Sequence, residues 1–289
     1  MTTAIQVSYM SVNPDTFFNE LRDAVENDRI LLPSLPEVAL KIRDMAEDEA
    51  TTSEQIVDVL AQDSSMSARL LKVVNSPLYP TSVPIDDLQL AVTRMGIQSV
   101  RDMVMNLAMK LMYQPTSVMM EKKFRQAWNT SVEVAAICEM MASTVIKGIR
   151  KEQALLAGLI HNIGILPILL LAENDDYLFH DEDEMDMLVM SLQGRVGAMM
   201  LENWNFSDDL VTMVRECYNF EYSHEGSANL VDLVQFALLQ GGFVPERMVP
   251  DEWSEIPAFA RLGVDVEVDV IHLEENQEVL ENTRHSLAT

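Results

Sequence analysis

A histidine and a carboxamide, His161 and Asn162, stand side by side within an otherwise apolar stretch at residues 155–164. Imidazole is a common metal ligand and general base, whereas a carboxamide has no negative charge and binds metals poorly. Burying such a pair is costly unless something binds it or hydrogen bonds satisfy it. The pair therefore predicts either a binding site or a polar core. For a lone histidine such as His161 we favour a core residue satisfied by one hydrogen bond.

Other residues that could do chemistry give weaker patterns. His180 precedes the acidic run 181–184, which lacks the spacing and the glycine of a calcium loop, so a solvated loop is expected. Cys138 and Cys217 are isolated and predict buried, reduced thiols without a disulfide framework or a zinc site. Residues 194–197, Gly-Arg-Val-Gly, lack the third glycine and the preceding strand of a phosphate-binding loop. No cofactor and no metal are therefore expected.

Composition and charge narrow the class of protein. The 289 residues include 20 methionines and only 10 glycines, and 48% are hydrophobic, which favours a helical protein with a substantial core. The formal net charge of −26 repels nucleic acids and anionic membrane surfaces, so neither partner is expected. The sequence does not open with a basic segment followed by an apolar run, so we expect no signal peptide and a cytoplasmic location.

The sequence pattern also predicts the helices that must position the polar pair. A helix start at residues 13–15 is followed by about five short helices over residues 35–113. Residues 152–172 are expected to form a central helix, bent at Pro167 because proline removes a backbone donor. This segment is apolar enough to raise the question of a membrane span, but its polar pair and Pro167 favour a buried core helix. Further helices are expected near residues 185–204, 208–219 and 228–240.

The C-terminal stretch follows a different period. Four valines alternate with three acidic residues over positions 264–270, which is a strand signal. A strand needs a pairing partner, and two partners are possible: residues 243–249 of the same chain, or residues 264–270 of a second copy. We favour packing within the chain, because self-pairing would bring acidic side chains together. The oligomeric state stays open.

The block at residues 61–76, Ala-Gln-Asp-Ser-Ser-Met-Ser-Ala-Arg-Leu-Leu-Lys-Val-Val-Asn-Ser, closely resembles the HDOD family of bacterial helical domains, which are related to HD phosphohydrolases. The family pattern is roughly Asp-Pro-x-Leu-x-x-Arg-Leu-Leu-x-x-x-Asn-Ser, with Ser64 and Met66 here in place of the proline and the first leucine. Residues 32–38 resemble the segment with which the family domain begins. Met95-Gly96 stands for a later Leu-Gly.

The second half resembles the HD-like part of that family, but its metal-ligand positions are changed. The segments Trp-Asn-Thr-Ser, His-Asn-Ile-Gly and Gln-Gly-Arg-Val-Gly-Ala match family segments that carry histidines and an aspartate at those places. His161 alone survives of these ligands. Thr130, Asn162 and Gln193 replace the other ligands in these segments. Tyr218 and Asn219 stand where the family often has a His-His pair, and Gln235 lies near the place of a later acid.

The resemblance implies an all-α, multi-helical HD-like bundle with a short C-terminal extension that could contain a strand. It places the HDOD domain at residues 31–225, divided into a five-helix subdomain at 31–115 and an HD-like subdomain at 116–225. An N-terminal helical extension, 1–30, precedes the domain, and a C-terminal helix and tail, 226–289, follow it.

The function expected from these observations is that of a non-catalytic bacterial signal-transduction module. HD-type chemistry needs several histidines and a carboxylate around a metal-bound water, and one imidazole with amides and a hydroxyl does not supply them. Such a module would act through an unknown signalling protein or a small molecule. Two alternatives stay open: a pocket that binds a nucleotide or another small molecule without turnover, and a metal-dependent phosphohydrolase with unconventional ligands.

Overall fold

The computed structural model describes residues 13–27, 35–77, 79, 83–113, 121–172, 182–266 and 269–288. Regular structure within these ranges is helical throughout, with no strand. The all-α prediction is therefore confirmed. His180 and Asp181 lie outside the described residues. Residues 182–184 of the acidic run begin a helix, Glu182–Asn203, so the loop predicted for these three residues was wrong.

Short helices form the N-terminal half. Their first turns are fixed by side chains that accept backbone N–H bonds: Asn13 caps the first helix, Thr52 and Gln55 form a capping box, and Asp63 and Asp87 cap two further helices. The six helices of this half are α1 (Pro14–Glu26), α2 (Glu37–Ala46), α3 (Ser53–Leu60), α4 (Ser64–Val74), α5 (Leu88–Met95) and α6 (Ile97–Met112).

Longer helices build the second half around α7, which lies against α8, α12 and α14. The bounds are α7 (Glu121–Thr144), α8 (Lys151–Ile160), α9 (Ile165–Ala172), α10 (Glu182–Asn203), α11 (Asp208–Glu216), α12 (Leu230–Gln240), α13 (Pro257–Leu262) and α14 (Glu274–Ala288). Because α6 also packs on α8 and one hydrophobic cluster runs from α1 to α14, the two halves share a core.

The predicted central helix is interrupted, and Pro167 does not cause the interruption. The chain leaves helical structure at residues 161–164, between α8 and α9, so the single bent helix over 152–172 was wrong. Pro167 lies in the first turn of α9, where a missing backbone N–H costs nothing. The interruption coincides with Gly164, where the turn meets the backbone of α10.

The apolar character of this segment is explained by burial. Lys151–Leu171 is the one segment among the described residues that has the length and composition of a membrane span, and 83% of its most apolar window is buried inside the protein. A core segment of a helical domain meets the same description, so the sequence reading of residues 154–172 as core agrees with the fold.

The three alternating valines that the structure describes do not lie in a strand. Val264 and Val266 are half-buried against the hydrophobic core and Val270 is buried, while the described backbone around them is irregular. The proposed hairpin partner instead contains a 3-10 turn, Glu246–Met248, so no backbone edge is available there for pairing. Residues 267 and 268 lie outside the described ranges. At the described positions, the alternation therefore reflects valines that contact the core from an irregular segment, not a sheet.

Candidate functional site

His161 begins the turn between α8 and α9 and is fully buried. Its Nδ1 lies 2.6 Å from the carbonyl oxygen of Gly158, a distance and partner that assign the ring proton to Nδ1. Burial lowers the pKa of the imidazole to about 4, so the ring is neutral at pH 7. Nε2 then carries a lone pair that has no hydrogen-bond partner among the described residues. The one surviving family ligand is thus a neutral imidazole that points its free nitrogen inward.

Asn162 is held by hydrogen bonds on both sides of its carboxamide. The Tyr113 hydroxyl donates to Oδ1 at 2.6 Å, and Ser131 Oγ lies 2.7 Å from the same oxygen. Nδ2 donates to the carbonyl oxygen of Ala127 at 3.1 Å. Burial raises the pKa of Tyr113, which keeps the phenol protonated as a donor. Both lone pairs of the carboxamide oxygen are therefore occupied by hydroxyl groups.

Gln193, on α10, is buried and reaches His161 through a third side chain. Its Nε2 donates to Met190 Sδ at 3.2 Å, and its side chain lies beside Tyr218, whose ring centroid is 6.1 Å from that of His161. Burial raises the pKa of Tyr218 well above its usual value, so this hydroxyl also stays neutral. Gln193 Oε1 has no hydrogen-bond partner within the described chain. The structure thus brings Gln193 to the site by way of Tyr218.

The remaining three candidates, Gln235, Asn219 and Thr130, differ in how deeply their side chains are buried. Gln235, on α12, is buried and donates from Nε2 to the carbonyl oxygen of Asn219 at 2.6 Å, and its Oε1 has no partner in the described part of the chain. The Asn219 side chain is exposed and donates to Glu216 Oε2 at 2.9 Å, away from the buried cluster. Thr130 is half-buried on α7, and its neighbour Ser131 makes the contact with Asn162.

A divalent metal of the HD type does not fit this set of side chains. The donors are one neutral imidazole, three buried carboxamides and hydroxyl groups, with no carboxylate to offset a divalent charge. No group of three or more His, Cys, Asp or Glu side chains suited to a metal is found in the described ranges. The oxygen that replaces the expected carboxylate, Asn162 Oδ1, already accepts two hydroxyl donors. The arrangement can bind polar groups, but it lacks the charge that holds and activates a metal-bound water.

Replacing Asn162 tests how tightly this network is held. Asn162→Leu keeps the size of the side chain but leaves the Tyr113 hydroxyl without its acceptor and removes a donor to the Ala127 carbonyl oxygen, whereas Ser131 Oγ keeps that carbonyl as an acceptor. We therefore expect the free energy of unfolding to fall by about 1–3 kcal/mol. Urea unfolding followed by circular dichroism measures the change. Adding Tyr113→Phe to Asn162→Leu should recover part of the loss, because it removes one unpaired donor.

Asn219→Leu is the matched control for this prediction. It removes the same carboxamide from an exposed position outside the buried network, and we expect the free energy of unfolding to change by less than about 0.5 kcal/mol. Equal losses at Asn162 and Asn219 would contradict the account of the buried network.

The helical architecture and the His-Asn turn define an HD-like, all-α module. The family model of the HDOD domain matches residues 32–220, which is more than half of the chain. The chain belongs to the HDOD family and is an HD-related regulatory module.

Solved structures share the fold over nearly the whole chain. A candidate metal-dependent phosphohydrolase of Shewanella amazonensis SB2B superposes with a TM-score of 0.79 at 25% identity, covering 95% of this chain and 99% of the other. An HDOD domain protein of unknown function from Geobacter sulfurreducens gives a TM-score of 0.64 at 19% identity, with 94% and 98% covered. A candidate signal transduction protein of Marinobacter aquaeolei VT8 gives 0.65 at 20% identity, with 98% and 68% covered.

A curated relative extends beyond the matched region. An uncharacterised protein of Treponema pallidum (strain Nichols) is 23% identical over 220 residues, which is 71% of this chain. The chain spans about two fifths of the length of that relative, 41%.

Proposed function

We propose that this module is non-catalytic and relays a signal by binding a partner protein or a small ligand. The observation that carries the proposal is the state of Asn162, whose oxygen is saturated by Tyr113 and Ser131 where the family resemblance places a metal-binding carboxylate. The lone pairs with which an oxygen at this position would bind a cation accept hydroxyl hydrogens instead. A buried, fully bonded amide supports a structural role for this turn.

The chemistry of phosphate ester hydrolysis supports the same conclusion. The metal in such a site lowers the pKa of a bound water and neutralises phosphate charge. Gln193 and Gln235 contribute neutral oxygens, and His161 contributes one neutral nitrogen, so this set adds no negative charge that would retain the metal. A hydrolytic step therefore has no supporting group here. The net charge of −26 further favours partners that are neither nucleic acids nor anionic membranes.

The alternative is a metal-dependent phosphohydrolase with unconventional ligands. Two observations favour it: the likeness to the Shewanella candidate phosphohydrolase at a TM-score of 0.79, and three buried polar atoms without partners in the described chain. These atoms are His161 Nε2, Gln193 Oε1 and Gln235 Oε1. They could accept from a bound water or ligand as readily as they could approach a cation.

Metal analysis separates the two functions. Protein purified without added metal is expected to contain well under one equivalent of iron, manganese or zinc by mass spectrometry, because the site offers no anionic ligand. Hydrolysis of bis(4-nitrophenyl) phosphate with added manganese should not differ between the wild-type chain and His161→Ala. A full equivalent of tightly held metal, with hydrolysis that His161→Ala abolishes, would establish the alternative.

Asn162→Asp provides the complementary variant. It restores the carboxylate of the family pattern at one position while the neighbouring ligands stay neutral, so no hydrolysis is expected to appear. Hydrolysis gained by this single change would show that the remaining side chains suffice for a metal centre and would overturn the non-catalytic proposal.

A further inference from the structure

The C-terminal helix α14 docks on α7 with a face that is only partly apolar. Among its described side chains, the buried ones are Asn276, Leu280, Thr283 and Leu287, which recur at helical spacing. Half of this set is polar, whereas the buried side chains of the core helix α12 are apolar except for Asp232 and Gln235. The pairing of polar groups therefore takes a larger share in holding α14 than in holding a core helix.

The polar contact on this face is with a buried carboxyl group. Glu139, on α7, is only 2% exposed. Its Oε2 lies 2.9 Å from Thr283 Oγ1 of α14, and its Oε1 accepts from the Ser143 hydroxyl at 3.0 Å. None of the salt bridges between described residues includes Glu139. Burying a carboxylate without an ion-pair partner is costly, so this site favours the neutral acid.

Charged groups of α8 act on Glu139 in opposite directions. Lys151 favours the ionised carboxylate, whereas Glu152 disfavours it and accepts a hydrogen bond from the Tyr79 hydroxyl at 2.8 Å. The hydrogen bonds from the two hydroxyl groups also favour the ionised form. Burial outweighs these effects and raises the pKa of Glu139 above the ordinary value of a carboxyl group.

The described charged residues of α12 and α14, which also pack on α7, are paired elsewhere or exposed. On α12, Asp232 accepts from Arg261 Nη2 at 2.7 Å. On α14, Arg284 forms a salt bridge of 2.7 Å with Glu133 of α7. The exposed residues of α14 are Glu278, Glu281 and His285. Protonation of Glu139 is therefore governed by its own burial and by the start of α8.

The hydroxyl of Thr283 has one hydrogen but faces two acceptors. These are Glu139 Oε2 at 2.9 Å and the carbonyl oxygen of Val279 at 3.0 Å. If Glu139 is ionised, the hydrogen serves one of them and the other contact lacks a hydrogen. If Glu139 carries a proton on Oε2, that proton is donated to Thr283 Oγ1, and the threonine donates its own hydrogen to Val279. The protonated acid thus satisfies both contacts at once.

We propose that Glu139 is a proton-operated latch: the protonated carboxyl group fixes α14 against α7, and its ionisation loosens the helix. Ionisation removes the hydrogen that serves Thr283 and leaves a charge in an interface that α14 shields from water. Undocking of α14 returns the carboxylate to water and removes that cost. The latch goes beyond the proposed function and does not depend on it, because it is separate from the buried cluster around His161 and Asn162.

Docking of α14 is expected to weaken as the pH rises. A carboxyl group released into water has the ordinary pKa of 4.5, whereas burial gives docked Glu139 a higher pKa. Between these two values the docked state binds more protons than the undocked state, so docking loses stability with rising pH and loses nothing more above that range. The direction is opposite to that for the buried His161, whose pKa is lowered.

Amide hydrogen exchange of the full chain, followed by mass spectrometry from pH 5 to pH 8, tests the latch. Glu139→Gln mimics the protonated acid, because the carboxamide is uncharged and can donate to Thr283 Oγ1. Dividing the exchange rate of α14 in the wild-type chain by that in the variant cancels the intrinsic pH dependence of exchange. We expect this ratio to be close to unity at pH 5 and to rise with pH, by no more than about tenfold per pH unit, because one proton is linked to docking.

Glu133→Gln is the matched control on the same helix. It makes the same chemical change at the carboxylate that pairs with Arg284, so it removes an attraction between α7 and α14. Exchange in α14 should become faster than in the wild-type chain, whereas Glu139→Gln should make it slower at pH 8.

A ratio that stays constant between pH 5 and pH 8 overturns the latch. So does faster exchange of α14 in Glu139→Gln than in the wild-type chain at pH 8, because the neutral group would then not hold the helix. The amides of α12 serve as the internal reference and should not follow the ratio measured for α14. An equal pH-dependent ratio in α12 would show that Glu139 acts on the whole fold, and the proposal would be wrong.

Discussion

Gly164→Ala is expected to lower the free energy of unfolding by more than about 3 kcal/mol, because the added methyl group would overlap the backbone of a neighbouring helix. A Cβ at position 164 would lie 2.0 Å from the carbonyl oxygen of Gln193 and 2.5 Å from the backbone nitrogen of Gly197. Both atoms belong to the backbone of α10, so no side-chain rotation can relieve the overlap. The whole helix would have to move, and Gln193 would move with it.

Gly197→Ala is the matched control, because it adds the same group at the same contact from the other side. Its Cβ would approach Val214 Cγ1 at 2.5 Å, and the nearest backbone atom, the nitrogen of Gly164, lies at 3.2 Å. Val214 can change its side-chain conformation, so we expect a smaller loss, on the order of 1–2 kcal/mol. Urea unfolding by circular dichroism compares the two variants. A Gly164→Ala loss no larger than that of Gly197→Ala would show that the turn and α10 are not in firm contact.

The interruption of the central helix shows where sequence patterns lose information. Apolar residues continue on both sides of residues 161–164, so nothing in the periodicity marks a boundary there. Proline is a strong local signal, and the predicted bend was placed at Pro167 for that reason. In the structure Pro167 is harmless in a first turn, and the chain is redirected where Gly164 meets α10. That contact joins segments distant in sequence, which a local pattern does not encode.

The candidate site was predictable to the extent that it follows from local sequence. The polar pair in an apolar stretch directed attention to His161 and Asn162, and the family resemblance added Gln193 and Gln235; the structure places all four in the interior. Tyr113 gave no signal, because it reaches Asn162 across 49 positions of the chain.

The sequence does not show which of two adjacent residues has its side chain in the site. Each step along a helix rotates the side chain by about 100°, so Ser131 reaches Asn162 while Thr130 faces elsewhere on α7. The same ambiguity affects Tyr218 and Asn219, of which the tyrosine approaches His161 and the asparagine side chain is exposed. Knowing that a family segment aligns is therefore insufficient to say which of two neighbours enters the site.

Acidification is expected to destabilise the protein through His161. In the unfolded chain this imidazole takes up a proton near its ordinary pKa of 6.5, whereas in the folded protein burial delays protonation until about pH 4. Between these values the unfolded state binds more protons, so stability falls as the pH falls from about 6.5 to about 4 and loses nothing more from this group below that range. The two pKa values correspond to a contribution of about 3 kcal/mol.

His161→Gln isolates this contribution from the many carboxylates that titrate over the same range. The variant has no imidazole at position 161, so the stability difference between the wild-type chain and the variant should shift against the wild type by about 3 kcal/mol between pH 7 and pH 4. Urea unfolding at a series of pH values measures the difference, and NMR of the imidazole in the folded protein reports its protonation directly. A difference that stays constant with pH, or an imidazole that titrates near 6.5 in the folded protein, would show that the ring is not enclosed. It would also remove the main electrostatic argument for a neutral nitrogen at the centre of this site.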